Sequence, residues 1–137
     1  MSLRLERMVY ESTATGTTDS ILNLSVILAE SQRNNDRDGL TGALAAHRER
    51  YIQVLEGPAQ ALDALLARLA TDPRHRDIVI LDRAPVQTRL FGQWSMASAR
   101  ISPEKAATLD ALVARQGLTA WEVIRVMLDG EDPLHLT

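Results

Sequence analysis

The pattern of hydrophobic and polar positions in the first part of the chain predicts a strand followed by a helix. Residues 5–10 end in three apolar side chains, which favours a short strand, and the small polar residues 11–18 predict a loop. Asn34, Asn35 and Gly39 are residue types that favour the end of a helix. A helix is therefore expected from about residue 19 to Arg33, with an apolar stripe formed by Ile21, Leu24, Ile27 and Leu28.

The middle of the chain predicts a hairpin and a second helix. Small, β-branched and aromatic residues occupy 40–46 and 51–55, and the polar residues between them predict the turn. The second helix is expected to begin at Pro58, where a missing N–H costs nothing, and to end before Thr71-Asp72-Pro73. Its apolar stripe consists of Leu62, Leu65, Leu66 and Leu69.

Two further strands are predicted over residues 78–84 and 91–99, which gives the order β-α-β-β-α-β-β. Each of the two helices has one apolar stripe, so both are expected to pack on the same face of the sheet. The predicted fold class is therefore α+β. In detail, we expect a ferredoxin-like sandwich with a five-stranded mixed sheet and two helices on one face.

Two short helices are predicted to form a C-terminal tail. Ser102-Pro103-Glu104 supplies a cap and a first-turn proline for one helix, and Gly117 closes it. The capping box Thr119-Ala120-Trp121-Glu122 begins the other. Both have an apolar side, which must pack on the open face of the sheet or on a second copy of the chain. The sequence leaves both arrangements open.

Length and charge narrow the class of protein. The chain has 137 residues with 15 Lys and Arg against 18 Asp and Glu, a formal charge of -3, which favours one cytoplasmic domain. We expect residues 1–100 to form that domain and residues 101–137 to be an extension of it. A mildly acidic chain without a long apolar run is not expected to bind nucleic acid or to enter a membrane. The absence of cysteine excludes disulfides, thiolate metal sites and cysteine nucleophiles.

The usual catalytic and metal-binding motifs are absent. The chain has no glycine-rich phosphate loop, no nucleophile elbow and no pair of helical histidines, so a hydrolase is not supported and no metal site is expected. His75 belongs to Asp72-Pro73-Arg74-His75, which by its spacing favours a helix-ending turn.

Side-chain amides next to predicted buried elements are more informative. Gln53 lies in the middle of a predicted central strand, where an unsatisfied amide would cost roughly 1–3 kcal/mol. By themselves, Asn34 and Asn35 favour C-capping, and Tyr10 favours a place at the core rim with a bonded hydroxyl.

Taken together, these residues resemble the BLUF family, the blue-light sensors that use FAD. The resemblance runs from about Leu5 to Ala99 without a break in order. The segments that carry it are Met8-Val9-Tyr10-Glu11-Ser12, Ser31-Gln32-Arg33-Asn34-Asn35, Gly39-Leu40-Thr41-Gly42, Ile52-Gln53-Val54-Leu55-Glu56-Gly57, Asp72-Pro73-Arg74-His75 and Gln93-Trp94-Ser95-Met96. Residues 1–100 would then be the flavin-binding domain.

The resemblance implies a flavin ring held between the two helices. Asn35, with help from Asn34, would bond the uracil-like edge of the ring, because an amide both donates and accepts. Arg68 and His75 would contact the carbonyl edge or the phosphate side, and Asp72 is a weaker candidate for the same region. The ring would be sandwiched by Ile27 and Leu69. FAD is the expected cofactor, with FMN or riboflavin possible because the sugar-phosphate end is expected to face solvent.

The resemblance also implies a photochemical role for Tyr10 and Gln53. Tyr10 would donate an electron and its proton to the excited flavin through Gln53, which would be left rotated or tautomerised. Met96 would couple the glutamine to the last strand. Trp94 shares a face with Met96 and is equally well explained by sheet packing; Ser31 would bond it when it turns inward.

The implied protein is a sensor and not an enzyme. Its signal would leave through the last strand and the tail helices to an unknown partner protein or to another copy in a homodimer or higher oligomer. Tyr51 stands where the family often has phenylalanine, which places a second phenol two residues from Gln53 as a potential competing donor. Two alternatives remain: a ferredoxin-like dimerisation or binding module without cofactor, and a small acylphosphatase-like enzyme.

Overall fold

The computed structural model describes residues 4–14, 21–47, 50–73, 75–91, 97–98, 103–114 and 120–128. These residues form strands, two long helices and a helical tail, in the chain order that the sequence predicts. The elements are β1 (Leu5–Ala14), α1 (Ile21–Asp38), β2 (Thr41–His47), β3 (Arg50–Pro58), α2 (Ala59–Leu69), β4 (His75–Pro85), β5 (Ala97–Ser98), α3 (Pro103–Val113) and α4 (Ala120–Leu128).

The strands form one sheet in the order β4-β1-β3-β2-β5. β1 pairs antiparallel with both β3 and β4, and β2 pairs antiparallel with β3. β5 adds a short parallel pairing, in which Ala97 and Ser98 lie opposite Ala43 and Leu44 of β2. The predicted α+β class, with four antiparallel strands and packed helices, is confirmed.

Side-chain alternation along the strands gives the sheet two apolar faces. One face packs against α2 and contains Met8, Tyr10, Leu44, Tyr51 and Leu55, together with Leu62 and Leu69 of the helix. The other face contains Val9, Ala43, Ala45, Ile52 and Val54, which pack with Phe91 and with residues of α3 and α4. The tail helices therefore cover the second face of their own sheet, which decides between the two arrangements left open by the sequence.

Strand β1 is longer than the sequence pattern predicts. The prediction of a loop is wrong for residues 11–14, because Glu11, Ser12 and Thr13 continue the ladder opposite Ile52, Tyr51 and Arg50. The polar composition of this segment is overridden by its pairing with a central strand. Residues 15–20 lie outside the described residues.

Helix α1 also continues beyond its predicted end at Arg33, and it stops at Asp38. Asn34 and Asn35 consequently lie inside the helix and do not end it. The helix is terminated by Gly39, which has a φ of 73°. The N–H of the following residue, Leu40, donates to the Asn35 carbonyl at 2.8 Å. This is the six-to-one hydrogen bond of a glycine-terminated helix, a conformation that suits a residue without Cβ.

Smaller differences concern the remaining element boundaries. Pro58 ends β3 and precedes α2, so α2 begins at Ala59, one residue later than predicted. β4 begins at His75, earlier than the predicted strand, because its first residues pair with Thr13 and Ala14 of the extended β1. Within the predicted strand over residues 91–99, the structure assigns β-structure to Ala97–Ser98, and residues 92–96 lie outside the described residues.

Candidate functional site

A cleft of about 200 Å³ lies between the C-terminal halves of α1 and α2, with β1 and β3 as its floor. It brings together most of the residues that the sequence nominated, although they come from four elements and the turn after α2. Its lining residues are Tyr10, Glu30, Ser31, Asn34, Asn35, Gln53, Leu65, Arg68, Leu69 and Asp72. Such convergence of amide, phenol, guanidinium and aliphatic groups is typical of a ligand site.

A larger groove lies between α3 and α4, but it lacks these properties. Its volume is about 690 Å³, and none of its lining side chains is buried. They are Glu104, Lys105, Thr108, Leu112, Glu122, Arg125 and Val126. The smaller cleft contains buried Tyr10, Asn35 and Gln53, and it is therefore the candidate site.

The floor of the cleft is set by the pairing of β1 with β3. Tyr10 and Gln53 lie directly opposite each other in this antiparallel ladder. Directly opposed residues project to the same face with Cβ atoms about 4.5–5.5 Å apart. Both side chains are buried, Tyr10 fully and Gln53 to within 4% exposure. The sheet register alone thus places a phenol beside a carboxamide.

The Tyr10 hydroxyl is buried and finds no hydrogen-bond partner among the described residues. An unsatisfied buried hydroxyl costs about 1–3 kcal/mol, so its presence in a lined cleft points to a missing polar partner. Burial raises the pKa of Tyr10 above its ordinary value of 10.0, and the Asp72 carboxylate raises it further. The phenol therefore keeps its proton at neutral pH.

The α1 wall presents polar side chains at helical spacing. Glu30 and Asn34 are four residues apart, as are Ser31 and Asn35, so all four lie on one side of the helix. Asn35 is buried, with 2% of its surface exposed. Because α1 continues past both asparagines, their amides project from a regular helix toward the cleft.

The rim of the cleft is held by an ion pair that joins α1 to α2. Arg68 Nη1 lies 3.0 Å from Asp38 Oδ2, and Arg37 Nε lies 2.9 Å from Asp38 Oδ1. The hydrogen bond from Arg37 is the main cause that lowers the pKa of Asp38, and Arg68 lowers it further. Asp38 thus stays ionised and keeps the guanidinium of Arg68 at the mouth of the cleft.

These residues fit a flat heteroaromatic ring with an amide-like edge. Asn34 and Asn35 offer donors and acceptors, Arg68 offers donors only, and Leu65 and Leu69 offer an aliphatic surface. The sequence profile of BLUF, described as sensors of blue-light using FAD, matches residues 5–97. The chain belongs to the BLUF family. It is a blue-light photoreceptor that uses flavin.

Curated relatives of this BLUF chain are subunits of photoactivated adenylate cyclases. The beta subunit from Euglena gracilis is 36% identical over 144 residues, which covers 96% of this chain and 16% of that protein. The alpha subunit from the same organism is 29% identical over 99 residues, covering 72% of this chain and 10% of that protein. The chain thus spans about one sixth of the length of the first of these relatives and one tenth of the second.

Solved BLUF structures have the same fold. BlrB, a BLUF protein in its dark state, superposes with a TM-score of 0.67 at 29% identity, covering 99% of this chain and 93% of that one. A bacterial light-regulated adenylyl cyclase superposes with a TM-score of 0.69 at 27% identity, covering 80% of this chain and 33% of that one. BLUF domains therefore occur with effector domains such as cyclases.

Some nominated residues of the BLUF site have side chains that the structure does not describe. Ile27 lies in α1 and His75 begins β4, but neither side chain is among the described ones. Trp94 and Met96 lie outside the described residues. Their assigned roles stay predictions.

Two lining residues of the BLUF cleft, and one residue that pairs with Arg68 at its rim, were missed by the sequence reasoning as site residues. Glu30 is four residues before Asn34, so helical spacing could have indicated it once α1 was known to continue. Leu65 was assigned only to the apolar stripe of α2. Asp38 carries no signal in the sequence, because its contact with Arg68 joins residues 30 positions apart.

No group of three or more His, Cys, Asp or Glu side chains that could hold a metal ion occurs in the described part of the chain. Among the described helices, none is long and apolar enough to span a membrane.

Proposed function

We propose that this BLUF domain detects blue light through a proton and electron exchange that involves Tyr10 and Gln53. The observation that carries the proposal is the buried hydroxyl of Tyr10, which has no partner among the described residues and lies directly across the ladder from buried Gln53. Bound flavin would supply the chromophore and, once excited, the oxidant that takes an electron from Tyr10. The Tyr10 proton would pass to the carboxamide of Gln53, and the electron and proton would then return to Tyr10, which leaves Gln53 rotated or tautomerised with no net redox change.

The same cleft is the proposed flavin site. Asn34 and Asn35 bind the polar edge of the ring, and Arg68, Asp72 and His75 bind its carbonyl edge or the phosphate side. Ile27 and Leu69 pack against its two faces. Support comes from the convergence of five of these residues on one cleft between α1 and α2. FAD is the proposed form because it is the flavin that the family description specifies.

The strand order supports a ferredoxin-like arrangement of this domain. α1 connects β1 to β2, α2 connects β3 to β4, and the four strands lie in the order β4-β1-β3-β2. β5 then extends the sheet at the β2 edge. We assign residues 1–100 to the sensor domain and residues 101–137 to an extension of it, since α3 and α4 pack on the same sheet.

Signal output is proposed to be non-enzymatic. Met96, and Trp94 as the second candidate, would pass the change at Gln53 to the last strand and from there to the tail helices. The receiver would be a partner protein or a second copy of the chain. A cofactor-free dimerisation module is less well supported, because such a module has no use for a cleft that leaves a buried phenol unsatisfied.

The test is an absorption measurement on purified protein supplied with FAD. Blue light should shift the flavin band to longer wavelength, and the shift should reverse in the dark. Tyr10→Phe and Gln53→Leu should each retain flavin and lose the shift, because one removes the donor hydroxyl and the other removes the amide.

Two outcomes would contradict the proposal. A protein that stays colourless after incubation with FAD would reject the flavin site. A reversible red shift that persists in Tyr10→Phe and Gln53→Leu would reject the assigned roles while leaving flavin binding intact.

A further inference from the structure

Glu56 is a fully buried carboxylate on β3, three residues beyond Gln53. It lies on the opposite side of the sheet from Gln53, because side chains separated by an odd number of positions project to opposite faces. Arg7 of β1 binds its Oε2 atom from Nε at 2.9 Å and from Nη2 at 2.8 Å. Thr41 of β2 donates to its Oε1 atom at 3.2 Å. A carboxylate buried this deeply persists only because it is paired and hydrogen-bonded.

The same carboxylate also anchors the chain segment that follows β4. The Leu90 N–H donates to Glu56 Oε2 at 2.8 Å, and the Phe91 N–H donates to Glu56 Oε1 at 2.9 Å. Arg7 Nη2 donates to the Thr88 carbonyl at 3.2 Å, which ties the segment to β1 as well. Arg89 adds hydrogen bonds to Thr41 Oγ1 at 3.0 Å and to the Glu56 carbonyl at 3.3 Å. Residues 88–91 are therefore fixed to the three central strands, and the Glu56 side chain is the group that holds the backbone N–H groups of Leu90 and Phe91.

This anchored segment reaches the tail helices through Phe91. Its side chain is fully buried and belongs to the apolar cluster that contains Leu109 of α3 and Ile124 and Met127 of α4. The backbone of Phe91 is thus held by the strand that carries Gln53, while its ring packs among the side chains of the tail. A continuous set of contacts joins Gln53's strand to α3 and α4.

We propose that Glu56 is a positioning residue that transmits a change at Gln53 to the tail helices through its hydrogen bonds to Leu90 and Phe91. The proposal rests on the photoreceptor function proposed above. A shift of β3 at Gln53 moves Glu56, and the two backbone N–H groups that it binds must follow, because a carboxylate accepts both at once. A glutamine at this position accepts with one oxygen only, so one of the two N–H groups loses its acceptor.

The test compares the FAD-loaded wild-type protein with Glu56→Gln by hydrogen exchange in the dark and under blue light. In the wild type, amides of α3 and α4 should exchange at rates that differ between light and dark by about five-fold or more, the lower end of ordinary allosteric coupling. In Glu56→Gln the ratio should approach one, while the flavin red shift keeps its wild-type size because Tyr10 and Gln53 are unchanged.

Glu6→Gln is the matched control. Glu6 is also a buried carboxylate paired with an arginine, since Arg83 Nε lies 2.6 Å from its Oε1 atom, but its bonds run to β4 and the chain start instead of residues 88–91. This variant should lose a comparable ion pair and keep both the red shift and the light-to-dark exchange ratio.

Equal ratios in the wild type and Glu56→Gln would overturn the proposal, and so would a wild-type ratio of one alongside a normal red shift. Absence of the red shift in the wild type would instead reject the photoreceptor mechanism.

A measurement on the wild type provides a second test if Glu56→Gln does not fold. The Leu90 and Phe91 amides donate to the Glu56 carboxylate, so they should exchange at rates that differ between light and dark. Identical exchange of these two amides in light and dark, with a normal red shift, would overturn the proposal. Arg89→Gln removes the hydrogen bonds to Thr41 and to the Glu56 carbonyl and leaves the carboxylate in place, so it should keep the wild-type exchange ratio of α3 and α4.

Discussion

Tyr10 carries a buried polar atom whose surroundings, as far as the described residues go, do not meet its hydrogen-bonding requirement. It is fully buried, its hydroxyl has no partner among the described residues, and burial together with the Asp72 carboxylate raises its pKa. A neutral phenol that holds its proton suits a donor that releases the proton only after losing an electron. The cost of the unsatisfied hydroxyl is offset when a bound ligand or a rearranged Gln53 supplies a partner.

The raised pKa of Tyr10 predicts a loss of stability at alkaline pH. The folded-state pKa lies above the unfolded value of about 10, so the stabilising contribution is complete below pH 10 and is lost as the pH rises toward the folded-state value. Above pH 10 the wild type should lose about 1.4 kcal/mol per pH unit more than Tyr10→Phe. Urea unfolding of both proteins between pH 9 and pH 11 measures this difference, and parallel curves would contradict it.

Tyr51 is a second buried phenol on the same face of β3 as Gln53. It lies opposite Ser12, two cross-strand pairs away from the Tyr10–Gln53 pair. If Tyr51 competes as an electron donor, Tyr51→Phe should slow the decay of the excited flavin and increase the yield of the red-shifted form. Time-resolved fluorescence measures the decay. Identical decay in the variant and the wild type would remove Tyr51 from the photochemistry.

At the scale of elements, helix α1 brings the asparagines to the cleft because it continues to Asp38, just before Gly39, and does not end at Arg33. Gly39 adopts a φ of 73°, and no atom lies within 4 Å of a Cβ built at this position, so the backbone conformation is the constraint. The following N–H of Leu40 closes on the carbonyl of Asn35. Asn35 therefore belongs both to the last turn of the helix and to the lining of the cleft.

Gly39→Ala should therefore destabilise the fold and weaken flavin binding together. The left-handed conformation costs a residue with Cβ about 1–2 kcal/mol, and strain at the helix end displaces Asn35. Gly39→Asn is the matched control, because asparagine tolerates this conformation, and it should recover most of the loss. Urea unfolding and a flavin titration measure the two effects. Wild-type stability in Gly39→Ala would show that the helix end relaxes into another conformation.

At the scale of the whole molecule, the sheet is covered on both faces. α2 packs on the face that contains Tyr10, and α3 with α4 packs on the face that contains Val9 and Ile52. The tail is thus part of the core. Any change that moves the central strands acts on both layers, since packed interiors transmit displacement.

Shortening a buried side chain in the tail should lower the free energy of unfolding as much as shortening a buried side chain of the sensor domain. Ile124 has 1% of its surface exposed, and Ile124→Ala should cost about 2–5 kcal/mol. Arg125→Ala, at the exposed neighbouring position of α4, should change stability by less than about 0.5 kcal/mol. Urea unfolding measures the free energy of unfolding of the two variants and of the wild type. A small effect of Ile124→Ala would mean that α4 is not part of the cooperative core.

Much of the fold was predictable because the spacing of apolar residues and the residues that begin or end a helix are local properties of a sequence. The second helix was predicted to within a residue at its start, since Pro58 and the leucine stripe mark it plainly. The end of α1 was not predicted correctly, because asparagines are typical both of helix ends and of ligand-binding sites. The left-handed conformation of Gly39 in the folded chain decides that the helix continues past Asn34 and Asn35. The extension of β1 was missed for a similar reason: Ser12 and Thr13 have polar side chains, but a central strand supplies their partners.

The sequence by itself determined the α+β class and the order of the elements, because these follow from local spacing. Its motifs in fixed order also carried the resemblance to BLUF, which implies the residues that we propose to bind flavin. Only the tertiary structure decided that Tyr10 faces Gln53, that Asp38 holds Arg68 and that Glu56 binds the amides of Leu90 and Phe91. It also decided that the tail covers its own sheet. Each of these depends on strand register or on contacts between distant parts of the chain, and such contacts form only when the elements pack.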